Sequence, residues 1–178
     1  MCVRQFVIAD THFNDEHIIK FCKRPFSSVE DMNTSLIDNW NSTVEAQDEV
    51  FILGDFFKFD NQFDWPADNL GRTFKDILMQ LKGKKYLIKG NHDIKSDGFY
   101  LNHFDWYSQY PILLNNFFLL SHEPLQLSET TPYFNVYGHI HNDNKYTDNA
   151  TSKCVSVERI GYRPILLSNI GVSSDNGW

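Results

Sequence analysis

Lys89-Gly90-Asn91-His92-Asp93 sets a carboxamide, an imidazole and a carboxylate in consecutive positions directly after the apolar run Tyr86-Leu87-Ile88. Such side chains are costly to bury unless paired or metal-bound, and a preceding glycine lets the backbone turn sharply or approach a ligand closely. The stretch therefore marks the rim of a site. Four other segments share its form, an apolar run that ends in a turn bearing donor atoms: Val7-Ile8-Ala9-Asp10-Thr11-His12, Val50-Phe51-Ile52-Leu53-Gly54-Asp55, Phe117-Phe118-Leu119-Leu120-Ser121-His122 and Asn135-Val136-Tyr137-Gly138-His139-Ile140-His141. Five of the seven histidines lie in these five places.

Taken singly, each is weak. A turn accounts for Gly54-Asp55, and a packed or hydrogen-bonded ring is the ordinary explanation of any one histidine. Asp10 and His12, one residue apart, can reach one cation from a loop at a strand end. His139 and His141 can point to neighbouring positions of a dinuclear centre. Together the segments supply Asp10, His12, Asp55, Asn91, His122, His139 and His141 as candidate ligands, with His92 left over. Imidazole and carboxylate donors suit Mn, Fe, Zn or Ni, and the absence of thiolates from every segment argues against a structural zinc site. His17 and His103 lie outside the strand-end pattern and are expected to be packed or hydrogen-bonded rings.

These residues need strands to hold them. Val3 to Ala9 reads as a central strand, followed by a short helix from Glu16 to Phe21 that Pro25 stops. Ser28 can cap a second helix, with Asp31 as a weak capping-box partner and Val29, Met32, Leu36, Ile37, Trp40 and Val44 at helical spacing. Val50 to Leu53 is a short buried strand. Leu70, Phe74, Ile77, Leu78 and Leu81 give a third amphipathic helix, closed by Gly83, and Lys85 to Lys89 a third strand. The order is that of an α/β domain with crossover connections. After Asp93 the pattern turns strand-rich. Trp106 to Leu113 and Phe117 to Leu120 are separated by Asn115-Asn116, a hairpin turn. Phe134 to Tyr137, Lys153 to Val157 and Arg163 to Leu167 follow, the last two joined through Ile160-Gly161. Two mixed sheets face to face with helices outside would accommodate these pieces.

A chain of 178 residues suits one domain, here residues 1–178, with one sizeable core. Net charge of -7 argues against a broad nucleic-acid-binding face, although a small phosphate-bearing substrate survives that objection if bound metal makes the site locally positive. Cys2, Cys22 and Cys154 form no C-x-x-C pair and read as reduced and cytoplasmic. Neither a signal-peptide pattern nor a run long enough to span a bilayer is present, so no membrane partner is expected.

The ordered set D-x-H, G-D, G-N-H-D, H and G-H-x-H resembles the calcineurin-like metallophosphoesterase superfamily. Thr11-His12-Phe13 and Arg24-Pro25-Phe26-Ser27-Ser28 resemble its small single-domain bacterial and phage members, and the likeness runs from Phe6 to about Ile165. The resemblance implies a four-layer αββα sandwich and a two-metal phosphohydrolase. It also implies that Asp10, His12 and His141 hold one ion, that Asn91, His122 and His139 hold the other, and that Asp55 bridges them. Mn is the ion expected on that likeness, with Fe, Zn, Ni or Co permitted.

A water or hydroxide clamped between two such ions is a nucleophile at neutral pH. His92 is then placed to donate a hydrogen bond or proton to the phosphoryl or leaving oxygen, with Asp93 either orienting that ring or serving as a salt-bridge or capping group. The expected reaction is hydrolysis of a small or nucleotide-like phosphodiester. A phosphomonoesterase and a catalytically silent metal-binding scaffold are the alternatives. The chain has no length for the insertions and caps that larger members carry, so no extended nucleic-acid groove is expected. Lys23, Arg24 and Lys58 could touch substrate phosphate, although solvated charge is the simpler account. Phe56, Phe57, Phe59, Phe63 and Trp65 could form a base-stacking wall, a packed loop or a homo-oligomer contact.

Overall fold

The computed structural model describes residues 2–59, 74–128 and 130–171. Phe63, Trp65 and Leu70 fall outside these residues. The first sheet is built from β1 (Gln5–Ile8), β2 (Glu49–Leu53), β3 (Lys84–Ile88), β4 (Trp106–Ser108) and β9 (Ile165–Leu166), in the order β4-β3-β2-β1-β9. β1 to β4 run parallel, and β9 pairs antiparallel with β1. The second sheet holds β5 (Ile112–Leu114), β6 (Phe118–Leu120), β7 (Phe134–Tyr137) and β8 (Ser152–Cys154) in that order, antiparallel at β5-β6 and parallel beyond. Both sheets are mixed, as expected.

Because successive side chains of a strand face opposite ways, one sheet can serve two cores. Phe6 and Ile8 of β1, Val50 and Ile52 of β2 and Leu87 of β3 point toward the helices. There they meet Ile18 of α1 (Glu16–Phe21), Met32, Leu36 and Trp40 of α2 (Val29–Thr43), Ile77 and Leu78 of α3 (Phe74–Gln80), and Tyr100 of α4 (Asp97–His103). The alternate residues Val7, Ala9, Phe51, Leu53 and Ile88 face the second sheet and pack on Leu120, Phe134, Val136 and Val155. Sheet on sheet with flanking helices is thus the architecture, and no helix among the described residues is long and apolar enough to cross a membrane.

Local chemistry explains three departures from expectation. Ser28 caps α2 by accepting the Asp31 N–H at 3.1 Å, but the Asp31 carboxylate turns to the Ser27 N–H and hydroxyl and closes no reciprocal box. α4, absent from the strand-rich reading, begins where Ser96 accepts the Phe99 N–H at 3.3 Å. The run from Trp106 to Leu113 is two strands in different sheets. Pro111, which has no N–H to give a ladder, separates them. Asn115 and Asn116 both take left-handed φ, 52° and 55°, as a type I′ hairpin turn between β5 and β6 requires.

Candidate metal centre

The loops after β1, β2 and β3 leave the carboxyl ends of adjacent parallel strands, where open α/β sheets place their ligands. Three loops meet there by direct bonds. Asp10 N–H donates to Gly54 C=O at 3.1 Å, and His12 N–H to Asp55 C=O at 2.9 Å. Between β2 and β3 the spacing is set by Gly90. A Cβ on it would lie 2.6 Å from the Asp55 amide nitrogen, so a larger residue would force the two loops apart. Gly138, before His139, is pinned likewise, since its Cβ would stand 2.6 Å from Asp10 Oδ2.

Asp10, His12, Asp55, His139 and His141 all have positive φ, between 47° and 70°. Left-handed backbone costs a residue with a Cβ of order 1–3 kcal/mol and persists only where its surroundings impose it. Five such residues in one place mark a site whose side chains are aimed at the expense of local backbone comfort.

They are aimed at two foci. Donor atoms of Asp10, His12 and His141 lie within 4.8 Å of one another, as do those of Asp55, His122 and His139. Asn91 joins the second group, its Oδ1 standing 2.9 Å from His122 Nε2 and 2.9 Å from His139 Nδ1, which are 3.1 Å apart. Between the foci sits Asp55, with Oδ2 3.5 Å from both His12 Nε2 and His122 Nε2.

Ring partners decide which nitrogens carry lone pairs. His122 Nδ1 faces the Leu53 carbonyl at 2.8 Å, His141 Nδ1 faces Glu158 at 3.0 Å, and His12 Nδ1 faces Asp15 at 3.4 Å. Each neutral ring therefore donates outward and turns the Nε2 lone pair inward. His12 Nε2 is buried without a hydrogen-bond partner, and the lone pairs of His122, His139 and Asn91 converge with too few protons to share. A divalent cation at each focus satisfies both defects, so the residues present fit the group.

Supporting residues escaped the sequence reading. The Ser156 hydroxyl donates to Asp10 Oδ2 at 2.6 Å. Arg24 proves to be neither solvated nor a substrate contact. Its buried guanidinium donates to the Asp10 and Thr11 carbonyls at 2.7 and 2.9 Å and to Glu158 at 2.9 Å, fixing the first loop from behind. Glu158 in turn holds His141, and its carboxyl is brought down to about 2, since His141 and Arg24 outweigh the burial that opposes its charge. Their partners lie far away in sequence, and no spacing rule reveals them.

Asp93 resolves in favour of capping. Its buried carboxylate accepts the N–H groups of Gly90 and Asp55 at 2.8 Å and of Phe56 at 3.2 Å, clipping two loops together away from the His92 ring. Burial, with Asp55 nearby, pushes it up to about 6. His92 is exposed, its own N–H bonded to Asp55 Oδ1 at 2.8 Å and its ring 5.2 Å from that of His12. Partial burial lowers its pKa. His103 is a packed ring between Phe74 and Phe99, whereas His17, contrary to expectation, is exposed and lines the metal cleft. Phe56, Phe57 and Phe59 are buried against Phe74, Phe99 and Phe104, a packed core that leaves no stacking wall among these three.

Protons compete for this centre. Burial works against a charge on His12, but Asp15 and Asp55 hold its pKa up to about 9, while Asp55 itself stays ionised at about 2 because His12 and His122 overcome its burial. A cation that takes His12 Nε2 below pH 9 must displace one proton. Apparent affinity is therefore expected to rise about tenfold per pH unit from 6 to 8. Calorimetric Mn titrations in buffers of different ionisation enthalpy read both the slope and the proton released. Affinity constant across that range would remove His12 from the ligand set.

The comparisons agree with this geometry. The calcineurin-like phosphoesterase family matches residues 3–172, and the chain belongs to that family. It is a metal-dependent phosphoester hydrolase. An uncharacterized protein of Methanocaldococcus jannaschii is 35% identical over 173 residues, covering 93% of this chain and 88% of that one. A protein of unknown function from Aquifex aeolicus shares the fold with a TM-score of 0.67 at 22% identity, over 95% of this chain and 98% of the other. The Pseudomonas putida nuclease MPE is similar in fold over 78% of this chain and 62% of its own length, with a TM-score of 0.52 and 22% identity.

Proposed function

We propose that this chain hydrolyses phosphodiesters of small, nucleotide-like compounds, with a cation held by Asp10, His12 and His141, a second held by Asn91, His122 and His139, and Asp55 shared between them. The observation that carries this is the pair of convergent donor sets on the floor of one open cleft, joined by a single carboxylate. When bound, the ions supply activation of the attacking water and neutralise charge on the phosphoryl group.

The chain's own residues supply the rest. His92 stands on the rim with a ring that can donate a hydrogen bond or proton to the phosphoryl or leaving oxygen, and its backbone bond to Asp55 ties that ring to the centre. Lys58 lines the same cleft and adds positive charge where the substrate's phosphate must enter. The cleft holds about 410 Å³, within the roughly 300–1,000 Å³ usual for small-molecule sites. A compact diester fits that volume.

A metal-by-substrate activity matrix tests the proposal. It pairs Mn, Fe, Zn, Co and Ni with aryl diesters, cyclic nucleotides, dinucleotides, nucleoside diphosphate esters, monoesters and long single-stranded DNA. Turnover of small diesters, highest with Mn, is the expected result. Cleavage confined to monoesters would move the chain to the phosphomonoesterase alternative. Steeply salt-dependent cleavage of long DNA alone would overturn the small-substrate assignment. Inactivity on every substrate with every metal would leave only the scaffold alternative.

A further inference from the structure

Phe21 is the most exposed large hydrophobic side chain among the described residues, at 81%, and it lies on the wall of the metal cleft. Core packing does not account for it. On α1 it is Ile18 that turns into the core, while Glu16 and Lys20 pair with each other at 3.1 Å in solvent. His17, four residues before Phe21 and so on the same side of the helix, lines the cleft as well. Lys58 and His92 line the same cleft, together with His12, Asp55, Asn91, His139 and His141. The aromatic residues next to the centre in sequence, Phe56, Phe57 and Phe59, are all consumed by the core. An apolar ring held in solvent beside a phosphate-accepting floor and a lysine has the layout of a nucleotide site, in which the base lies on the ring and the phosphate reaches the cations.

Resting on the phosphoester assignment above, we infer that Phe21 is a stacking platform that selects phosphoesters carrying a nucleobase, with Lys58 holding the phosphate irrespective of the base. Phe21 touches substrate only through its π face, so the inference concerns selection and leaves the chemical step to the metal centre. A base stacked on one aromatic ring gains roughly 5- to 100-fold in affinity.

The test is equilibrium binding to the Mn-loaded protein, measured by calorimetry with adenosine 5′-monophosphate, ribose 5-phosphate and octyl phosphate. In the wild type the adenosine compound is expected to bind about 5- to 100-fold more tightly than ribose 5-phosphate, and more tightly than octyl phosphate. Phe21→Ala, at an exposed position whose loss spares the core, should bring the first ratio close to one and leave ribose 5-phosphate affinity unchanged. Phe21→Trp should keep the ratio or raise it. Lys58→Ala should weaken adenosine 5′-monophosphate and ribose 5-phosphate by the same factor. Equal binding of those two ligands by the wild type would overturn the inference, as would an octyl phosphate gain matching that of adenosine, or a ratio that survives Phe21→Ala. Failure of all three phosphates to bind the loaded protein would likewise overturn the inference, whereas only inactivity on every substrate in the metal-by-substrate matrix would overturn the phosphoester assignment, which separates the two outcomes.

Discussion

Replacing His92 with alanine is expected to leave both cations in place and to slow phosphoester cleavage roughly 10²- to 10⁴-fold, the usual worth of a positioned proton donor. The basis is a division of labour between neighbours. Asn91 Oδ1 stands 2.9 Å from two inward-facing imidazole nitrogens, whereas the His92 ring belongs to neither donor set and is tied to the centre only through its backbone N–H on Asp55. A ring removed from that position costs the leaving oxygen its donor without opening the coordination sphere. Asn91→Ala should do the reverse and lower occupancy at the second focus. Elemental analysis beside single-turnover rates checks the pair. Loss of metal from His92→Ala as severe as from Asn91→Ala would show that the ring is a ligand.

Asp55→Asn is expected to have the larger effect of all, abolishing measurable turnover and stripping the centre of at least one ion. Asp55 Oδ2 stands equally far, 3.5 Å, from an imidazole of each donor set, so one neutralised oxygen weakens both foci. The amide keeps an acceptor for the His92 N–H, which spares the loop and isolates the charge. Because ligands that bind only the folded state raise its stability by mass action, the rise in Tm that Mn gives the wild type should shrink or vanish in the variant. A full Mn-dependent rise in Asp55→Asn, with normal metal content, would rule out a shared carboxylate.

The site was legible in the sequence wherever candidate ligands follow strands, because an apolar run that ends in a turn bearing donor residues is a local pattern. Asp10, Asp55, Asn91, His122 and His139 each announce themselves this way. α1 was legible from a local signal too, Pro25 soon after its end, while the Asp15 cap that starts it went unread. What was hidden depends on distant partners. Arg24 reads as a surface cation until the fold brings the carbonyls of Asp10 and Thr11 to its guanidinium, and Glu158 reads as an ordinary acid until it meets His141 and Arg24. Phe56, Phe57 and Phe59 were left open for a different reason, and of the three alternatives the packed one holds for them. Aromatic density near a site cannot tell a wall from a core, and α4, which supplies Phe99 to cover them, was itself missed.

The ligands are divided between the sheets: Asp10, His12, Asp55 and Asn91 leave strands of the first, while His122, His139 and His141 follow strands of the second. For a polypeptide made from its amino end, this fixes an order of maturation. When the ribosome has delivered residues through β4, the nascent chain owns only the acidic, oxygen-rich side of the centre, and His12 is the one candidate ligand histidine among those residues. The second sheet must then dock before two ions can be gripped at once. On the proposed ligand assignment, metal uptake is a late step that fastens two separately made halves, and a fragment ending before residue 139 lacks the ligands to hold the pair.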